Sequence, residues 1–395
     1  MKAIPYGRQN ITDEDITAVI ETLKSDYLTQ GPKIFEFEKK FAKYIGVKYA
    51  VAVSNGTAAL HLCAMALDVK EGDKVITTPI TFAASANCVR YCNGEVIFSD
   101  INHDTFTIDI DSVRELLEAS PKGTYKGIIP VDFAGYAVNL EELKQLAEEY
   151  NLWIIEDACH APGGYFVDSK GEKQLCGNGK FADLAIFSFH PVKHIACGEG
   201  GMITTNNEQL YNKLMTLRTH GIVKSDDKYT NSAKFATSVS DETVYPGWYM
   251  EMQTLGYNYR LTDFQAALGI SQLERADYGI KRRRDIAQKY NDAFESSSFV
   301  KNQSGVVEGH AYHLYVLEVE DRLGLYNYLR QKNVFAQIHY IPCHLMPYYR
   351  DLGWKEGDMP KAEEYYRNCI SLPMYPALTE KEQDYVIDMI KKYYE

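Results

Sequence analysis

A lysine set between apolar runs, an acid at the end of another run, and a small-residue turn that opens a helix are the features of this sequence best able to do chemistry. The lysine is Lys193. It follows Asp183-Leu184-Ala185-Ile186-Phe187-Ser188-Phe189-His190-Pro191-Val192 and precedes Gly198-Glu199-Gly200-Gly201. Most lysines are solvated surface charges. One placed between two buried strands, beside a glycine-rich turn, is desolvated. Its basicity then falls from the usual value of about 10.4 and it becomes a nucleophile for an aldehyde. Ser188, five residues earlier, can donate to a phosphate oxygen. His190 and His194 have the i, i+4 spacing of a zinc pair on a helix, but Pro191 interrupts it and no third ligand signature accompanies it, so no metal is expected.

The acid is Asp157, in Leu152-Trp153-Ile154-Ile155-Glu156-Asp157-Ala158-Cys159-His160. A carboxylate at the end of a buried strand can pair with a protonated ring nitrogen and hold it charged. It could equally be a metal ligand or a Walker-B-like acid, although no GxxxxGK[ST] loop occurs in the chain. The turn is Ser54-Asn55-Gly56-Thr57-Ala58-Ala59. A helix N-terminus behind small residues presents free N–H groups to a phosphate. The same residues also suit a plain connecting turn capped by Thr57.

These residues need a scaffold that brings strand ends together. Short apolar runs at Tyr49–Val53, Lys74–Thr78, Glu95–Phe98, Gly127–Val131, Leu152–Ile155, Leu184–Ser188 and Met202–Thr204 alternate with helical stretches such as Thr57–Leu67, Asp111–Ala119 and Leu140–Tyr150. That alternation predicts an α/β fold with crossover units and a mostly parallel, buried sheet. Ligands of such sheets sit at the carboxyl ends of the strands. An N-terminal helix is capped by Thr12 with Asp15, and Ile16, Val19, Ile20 and Leu23 share one face. Residues 206–257 are polar and irregular, a long surface excursion. A helix from Thr262 is expected to continue into Lys281-Arg282-Arg283-Arg284, the basic run being a solvated face. Strands near Leu314–Val319 and Val334–His339, with helices near Lys361–Cys369 and Thr379–Tyr393, suggest a smaller α/β unit. The expected division is 1–260 as the large domain and 261–395 as a linker helix with the small domain.

The bulk numbers fit this reading. The chain has 395 residues, 45% hydrophobic and 24% charged, with a formal net charge of −12. Such an acidic balance disfavours nucleic acid and anionic membranes as partners. The eight cysteines show no CxxC spacing, so they are expected to be reduced thiols of a cytoplasmic protein. There is no apolar leader in the first ten residues and no run of about 18 apolar residues.

Taken together, SNGTAAL, TPITFAASAN, EDACHAPG, SFHPVK, GEGG, RTHGI and GYNYRLTDFQAALG occur in this order along nearly the whole chain. The set resembles the DegT/StrS family of nucleotide-sugar aminotransferases, a branch of the fold-type-I enzymes dependent on pyridoxal 5′-phosphate. The resemblance implies a seven-stranded, mostly parallel sheet in the large domain. It implies that Lys193 carries the cofactor covalently and later moves the proton between the cofactor and the sugar. Asp157 would hold the pyridine nitrogen, Phe82 would stack on the ring, and His160 would lie near the phenolic oxygen. Gly56, Thr57 and Ser188 would hold the phosphate, joined by Asn258 from a neighbouring subunit, which implies a homodimer with shared sites. A finer resemblance, in RTHGIVK, His313-Leu314-Tyr315 and Ile338–Pro342, is to the pseudaminic-acid branch. It implies transfer from L-glutamate to the C4 keto group of a UDP-linked 4-keto-6-deoxy-N-acetylhexosamine. The sugar nucleotide would meet Tyr6, Tyr27, Leu28, Thr29, Gln30, Thr57, Ser188, Asn258, His339, Tyr340, Ile341 and Pro342. Other readings are a different keto nucleotide sugar, a pyridoxamine-phosphate dehydratase, whose lysine is replaced, or a non-catalytic regulator.

Overall fold

The computed structural model describes residues 2–241 and 243–395. Its centre is a sheet of seven strands: Tyr49–Val53 (β1), Lys74–Thr77 (β2), Glu95–Phe98 (β3), Tyr125–Ile129 (β4), Trp153–Asp157 (β5), Leu184–Ser188 (β6) and Gly201–Thr205 (β7). Their spatial order is β1-β7-β6-β5-β4-β2-β3. From β6 to β3 every neighbouring pair is parallel, and β7 alone runs antiparallel, to both β1 and β6. All five residues of β7 and four of the five in β6 are buried, as a sheet covered by helices on both faces requires. The α/β architecture with a mostly parallel seven-stranded sheet is the expected one.

The helices before and between these strands are Asp13–Leu23 (α1), Pro32–Ile45 (α2), Gly56–Ala66 (α3), Ala84–Tyr91 (α4), Ile110–Glu118 (α5) and Leu140–Tyr150 (α6). After β7 come Glu208–Leu217 (α7), Asp263–Leu273 (α8) and Ala276–Phe294 (α9). The C-terminal residues add an antiparallel sheet of Val300–Gln303 (β8), Tyr315–Val319 (β9) and Cys369–Leu372 (β10). It is flanked by Arg322–Gln331 (α10), Pro360–Asn368 (α11) and Glu380–Tyr394 (α12).

Four sequence expectations need correction. First, α1 has the expected capping box, Thr12 with Asp15, but its apolar stripe points outward. Ile16, Ile20 and Leu23 are exposed while Asp15 is fully buried. The reason lies beneath the helix: Asp15 accepts from Ser271 Oγ at 2.6 Å, Gln272 Nε2 at 2.7 Å and Arg275 NH2 at 2.6 Å. A buried carboxylate needs such a set of donors, and they dictate which face goes in. Second, the run 334–339 is strand only at Val334–Phe335, which pairs with Ile4–Pro5; the chain then turns so that His339 and Tyr340 reach the sheet edge. Third, the excursion over 206–257 is not irregular throughout: α7 lies within it, and short elements follow. Ile222–Val223 pairs with Glu251–Met252, and Glu251 accepts from Thr230 N–H, Thr230 Oγ1 and Asn231 N–H.

Fourth, the helix expected through the basic run is two helices, α8 and α9, broken at Arg275, and Arg283 is not solvated. It is 1% exposed. Its NH1 group donates to the carbonyls of Tyr312 at 3.0 Å, His313 at 3.2 Å and Met374 at 3.0 Å. A planar guanidinium suits three fixed acceptors better than a flexible ammonium does. Arg283→Met should leave three buried carbonyls without a donor and cost about 3 kcal/mol. The drop in the urea midpoint measures this; an unchanged midpoint would show that those carbonyls find other partners.

Candidate active site

Gly201 sets the geometry of the site. It pairs with both Val53 and Ser188, so the chain leaving β1 and the chain leaving β6 end side by side. A Cβ on Gly201 would lie 2.6 Å from the backbone C and O of Asn55, and one on Gly56 would lie 3.2 Å from Ser188 Cβ. Only glycine permits the first approach, and the second is tight. Because β5 lies beside β6 in parallel, Ser54–Thr57, Asp157–His160 and Ser188–Lys193 all emerge at one sheet edge. They surround a cavity of about 730 Å³, within the usual range for small-molecule sites.

The α3 N-terminus forms one wall. Its cap is Asn55, not Thr57: the Asn55 side chain accepts from Ala58 N–H at 2.8 Å. Gly56 and Thr57 line the cavity beside Ser188, leaving first-turn N–H groups and a hydroxyl for an anion. Asp157, the last residue of β5, is 4% exposed. Ser85 Oγ donates to its Oδ2 at 2.6 Å and Cys159 N–H to its Oδ1 at 3.2 Å. Ser85 in turn contacts Thr81 Oγ1 at 2.8 Å.

Lys193 is half-buried in the cavity wall, held by a turn in which its N–H donates to the His190 carbonyl at 2.8 Å. Its Nζ lies 3.4 Å from His313 Nε2. Burial pulls the ammonium below the usual lysine range, against the opposing pull of Cys159 and Asp157. Burial first, and the Lys193 charge second, drives His160 and His313 well below the ordinary histidine range, and His339 to about 3. His160 is therefore neutral. Its Nδ1 accepts from Ala134 N–H at 3.2 Å, which leaves Nε2 protonated and 3.3 Å from the Tyr340 hydroxyl. Phe82 stands 64% exposed on the rim, its ring 6.3 Å from that of Tyr340.

Of the sequence-predicted site residues, Tyr6, Gly56, Thr57, Phe82, Asp157, His160, Ser188, Lys193, His339 and Tyr340 line this one cavity. The others do not. Tyr27 and Leu28 are exposed, in a loop clasped by Asp263: its carboxylate accepts from Gly31 N–H at 2.7 Å, and its own N–H donates to the Leu28 carbonyl at 2.9 Å. Thr29 bridges to Thr262, and Gln30 has φ 57°. Asn258 is exposed and bridges to Thr219. Ile341 is exposed and Pro342 is buried outside the cavity lining. His190 and His194 are not on a helix; His194 bonds the Ala311 carbonyl at 2.9 Å. Ser85, Tyr91, Tyr259 and His313 also line the cavity. Ser85 lies in the first turn of α4, where no local sequence signal marks its bond to Asp157.

An amine, a carboxylate and a helix N-terminus thus converge on one space from three strand ends. The family model described as the DegT/DnrJ/EryC1/StrS aminotransferase family matches residues 9–391. The chain belongs to this family. It is 36% identical to the spore coat polysaccharide biosynthesis protein SpsC of Bacillus subtilis, over 98% of this chain and 96% of that one. It is 35% identical, with the same coverage, to a UDP-4-amino-4,6-dideoxy-N-acetyl-beta-L-altrosamine transaminase of Campylobacter jejuni. The structure of Helicobacter pylori PseC, an aminotransferase involved in the biosynthesis of pseudoaminic acid, superposes with a TM-score of 0.87 at 27% identity, covering 100% and 99% of the two chains.

The chain is therefore a sugar aminotransferase, and its cofactor is pyridoxal 5′-phosphate. The cavity fits that group: it offers an amine for an aldehyde, a carboxylate for a pyridine nitrogen, and helix-end N–H groups with a hydroxyl for a phosphate. No helix among the described residues is long and apolar enough to cross a membrane. Ser85→Ala removes a charge-assisted bond from Asp157 and should weaken cofactor binding about tenfold. Titrating the cofactor-free protein by absorbance reads this directly; unchanged affinity would mean that Ser85 does not hold the carboxylate in place.

Proposed function

We propose that this aminotransferase moves an amino group from L-glutamate to the C4 keto group of a UDP-linked 4-keto-6-deoxy-N-acetylhexosamine, as in the pseudaminic-acid pathway, and works as a homodimer. The reading rests on the Lys193 amine, held in a cavity whose far rim is built from Tyr6, His339 and Tyr340. When bound, the cofactor supplies a ring that accepts electrons from the carbon bearing the amine. Lys193 Nζ would carry the cofactor, and as a free amine it would move the proton at the reacting carbon, which its depressed basicity suits. Asp157 Oδ atoms hold the pyridine nitrogen. The Nε2–H of neutral His160 would be the donor available to the phenolic oxygen. Gly56, Thr57 and Ser188 would hold the phosphate, and Phe82 would cover the ring.

The sugar assignment follows the Campylobacter jejuni relative and the aromatic rim. Tyr6 and His339, with ring centroids 5.0 Å apart, can both stack and hydrogen-bond a nucleotide sugar. The similar identity to SpsC favours other keto nucleotide sugars as the second reading. A panel of keto nucleotide sugars with glutamate, read by mass spectrometry, decides between them. The aminated UDP-hexosamine should form fastest, and Lys193→Ala should abolish it. Preference for another sugar overturns the substrate assignment, and turnover by Lys193→Ala overturns the site.

The dimer accounts for three placements that a single chain leaves unexplained. Ile16, Ile20 and Leu23 form an outward apolar stripe, continued by Tyr27, Leu28 and Phe35. The 27–30 loop and Asn258 lie outside the cavity of their own chain, where they can serve the cavity of a partner. Domains of 1–260 and 261–395 belong to the same proposal. Ile20→Glu should shift sedimentation from dimer to monomer and weaken cofactor retention at the same time. An unaltered dimer would place the interface elsewhere.

A further inference from the structure

Behind the sheet edge that carries Asp157, three side chains meet away from the cavity. Asp132, Glu156 and Cys176 are each at most 2% exposed, and their polar atoms lie within 4.8 Å of one another. Asp132 Oδ1 accepts from Val138 N–H at 2.9 Å, and Glu156 Oε1 from Gly177 N–H at 2.9 Å. Asp132 Oδ2 is buried with no partner among the described residues. The titratable groups facing the pair are Asp157, next along β5, and the Cys176 thiol, which burial keeps protonated. None of them supplies positive charge. Two carboxylates this close in a dry interior cannot both ionise. A proton on one of them gives Asp132 Oδ2 the donor it lacks.

We propose that Asp132 and Glu156 share one proton at neutral pH, and that this acid-to-carboxylate hydrogen bond positions the groups around Lys193. The segment it fixes is a junction. Asp132 N–H donates to the Asp157 carbonyl at 3.0 Å, and Ala134 N–H donates to His160 Nδ1 at 3.2 Å. The Ala134 and Gly135 carbonyls accept from Leu314 N–H at 3.1 Å and Ala311 N–H at 2.8 Å, on either side of His313. Ala134 has φ 59°, a left-handed conformation that a non-glycine residue keeps only where its surroundings hold it. The Asp132–Glu156 clamp adjoins that strained residue. Asp132 and Glu156 are positioning residues: they act through Asp157, His160 and His313, and touch no substrate.

The consequences for stability follow from linkage. Burial raises both carboxyls, Asp132 to about 7. A carboxyl raised in the folded chain makes its full contribution below the ordinary carboxylate range, where folded and unfolded chains both hold the proton. Its contribution is lost as the pH rises out of the ordinary carboxylate range through about 7.

Glu156→Gln tests the clamp. The amide N–H₂ replaces the shared proton as donor to Asp132, and the amide oxygen still accepts from Gly177, but no second carboxyl is left to share a proton. Glu156→Ala removes the bond. The cofactor-free protein should show the infrared carbonyl stretch of a buried protonated carboxyl at pH 7, and Glu156→Gln should lack it. The stability of wild type relative to Glu156→Gln should fall across the pH window above. Glu156→Gln should bind pyridoxal phosphate within about twofold of wild type, and Glu156→Ala about tenfold more weakly. If Glu156→Ala does not fold, the infrared band and the pH comparison still decide. The proposal is overturned if the band is absent from wild type, if the pH dependence of the two proteins is the same, or if a stoichiometric divalent metal co-purifies and is lost from Glu156→Gln. None of these readouts needs turnover, so they stand apart from the substrate panel.

Discussion

An amine that must attack an aldehyde has to be kept out of water without being given a second cation to repel it. That constraint organises the centre of this protein. Lys193 is pulled down by burial, and the imidazoles around it are held neutral by the same burial and by its own charge. The His160 and His313 rings lie 4.2 Å apart between centroids, tilted by 38°, a separation that two imidazolium ions would not tolerate. The imidazoles therefore add no positive charge beside the lysine. Arg283 supports this from outside by pinning the carbonyls of Tyr312 and His313, so that the partner of the amine is set by backbone and not by a mobile side chain.

The sheet supplies the rest. A single antiparallel strand, β7, is inserted between β1 and β6, and its first residue is a glycine touching the backbone of Asn55. That contact joins the phosphate-binding type of turn after β1 to the lysine turn after β6. Parallel pairing then brings Asp157 alongside. The candidate site residues from Gly56 to Lys193 span 137 positions of chain, yet backbone pairing brings the strand ends that carry them together.

Much of this was legible in the sequence. The seven strands stand out because buried parallel strands are continuous apolar runs, and the residues following Val53, Glu156 and Phe187 could be placed at strand ends for that reason. What could not be read were features decided by distant partners. The inward turn of Asp15 depends on Ser271, Gln272 and Arg275, more than 250 positions away. Arg283 looks like any member of a basic run until three carbonyls from two other segments surround it. The cap on α3 falls to Asn55 and not Thr57 because the chain leaves β1 in an extended conformation at Asn55. Ser85 hides inside an alanine-rich helix start, where nothing local announces its bond to Asp157.

The outward stripe on α1 is fastened from below by a charge pair, Arg275 with Asp15 at 2.6 Å, that is largely shielded from ions, while its outer face is hydrocarbon. The two sides therefore answer to different solvents. Sulfate and other excluded salts strengthen apolar burial and will drive that face against whatever complements it, whereas screening leaves the shielded pair beneath nearly untouched. Any assembly through α1 would thus be tightened, not loosened, by ionic strength, which sets that face apart from the protein's many surface lysines and glutamates.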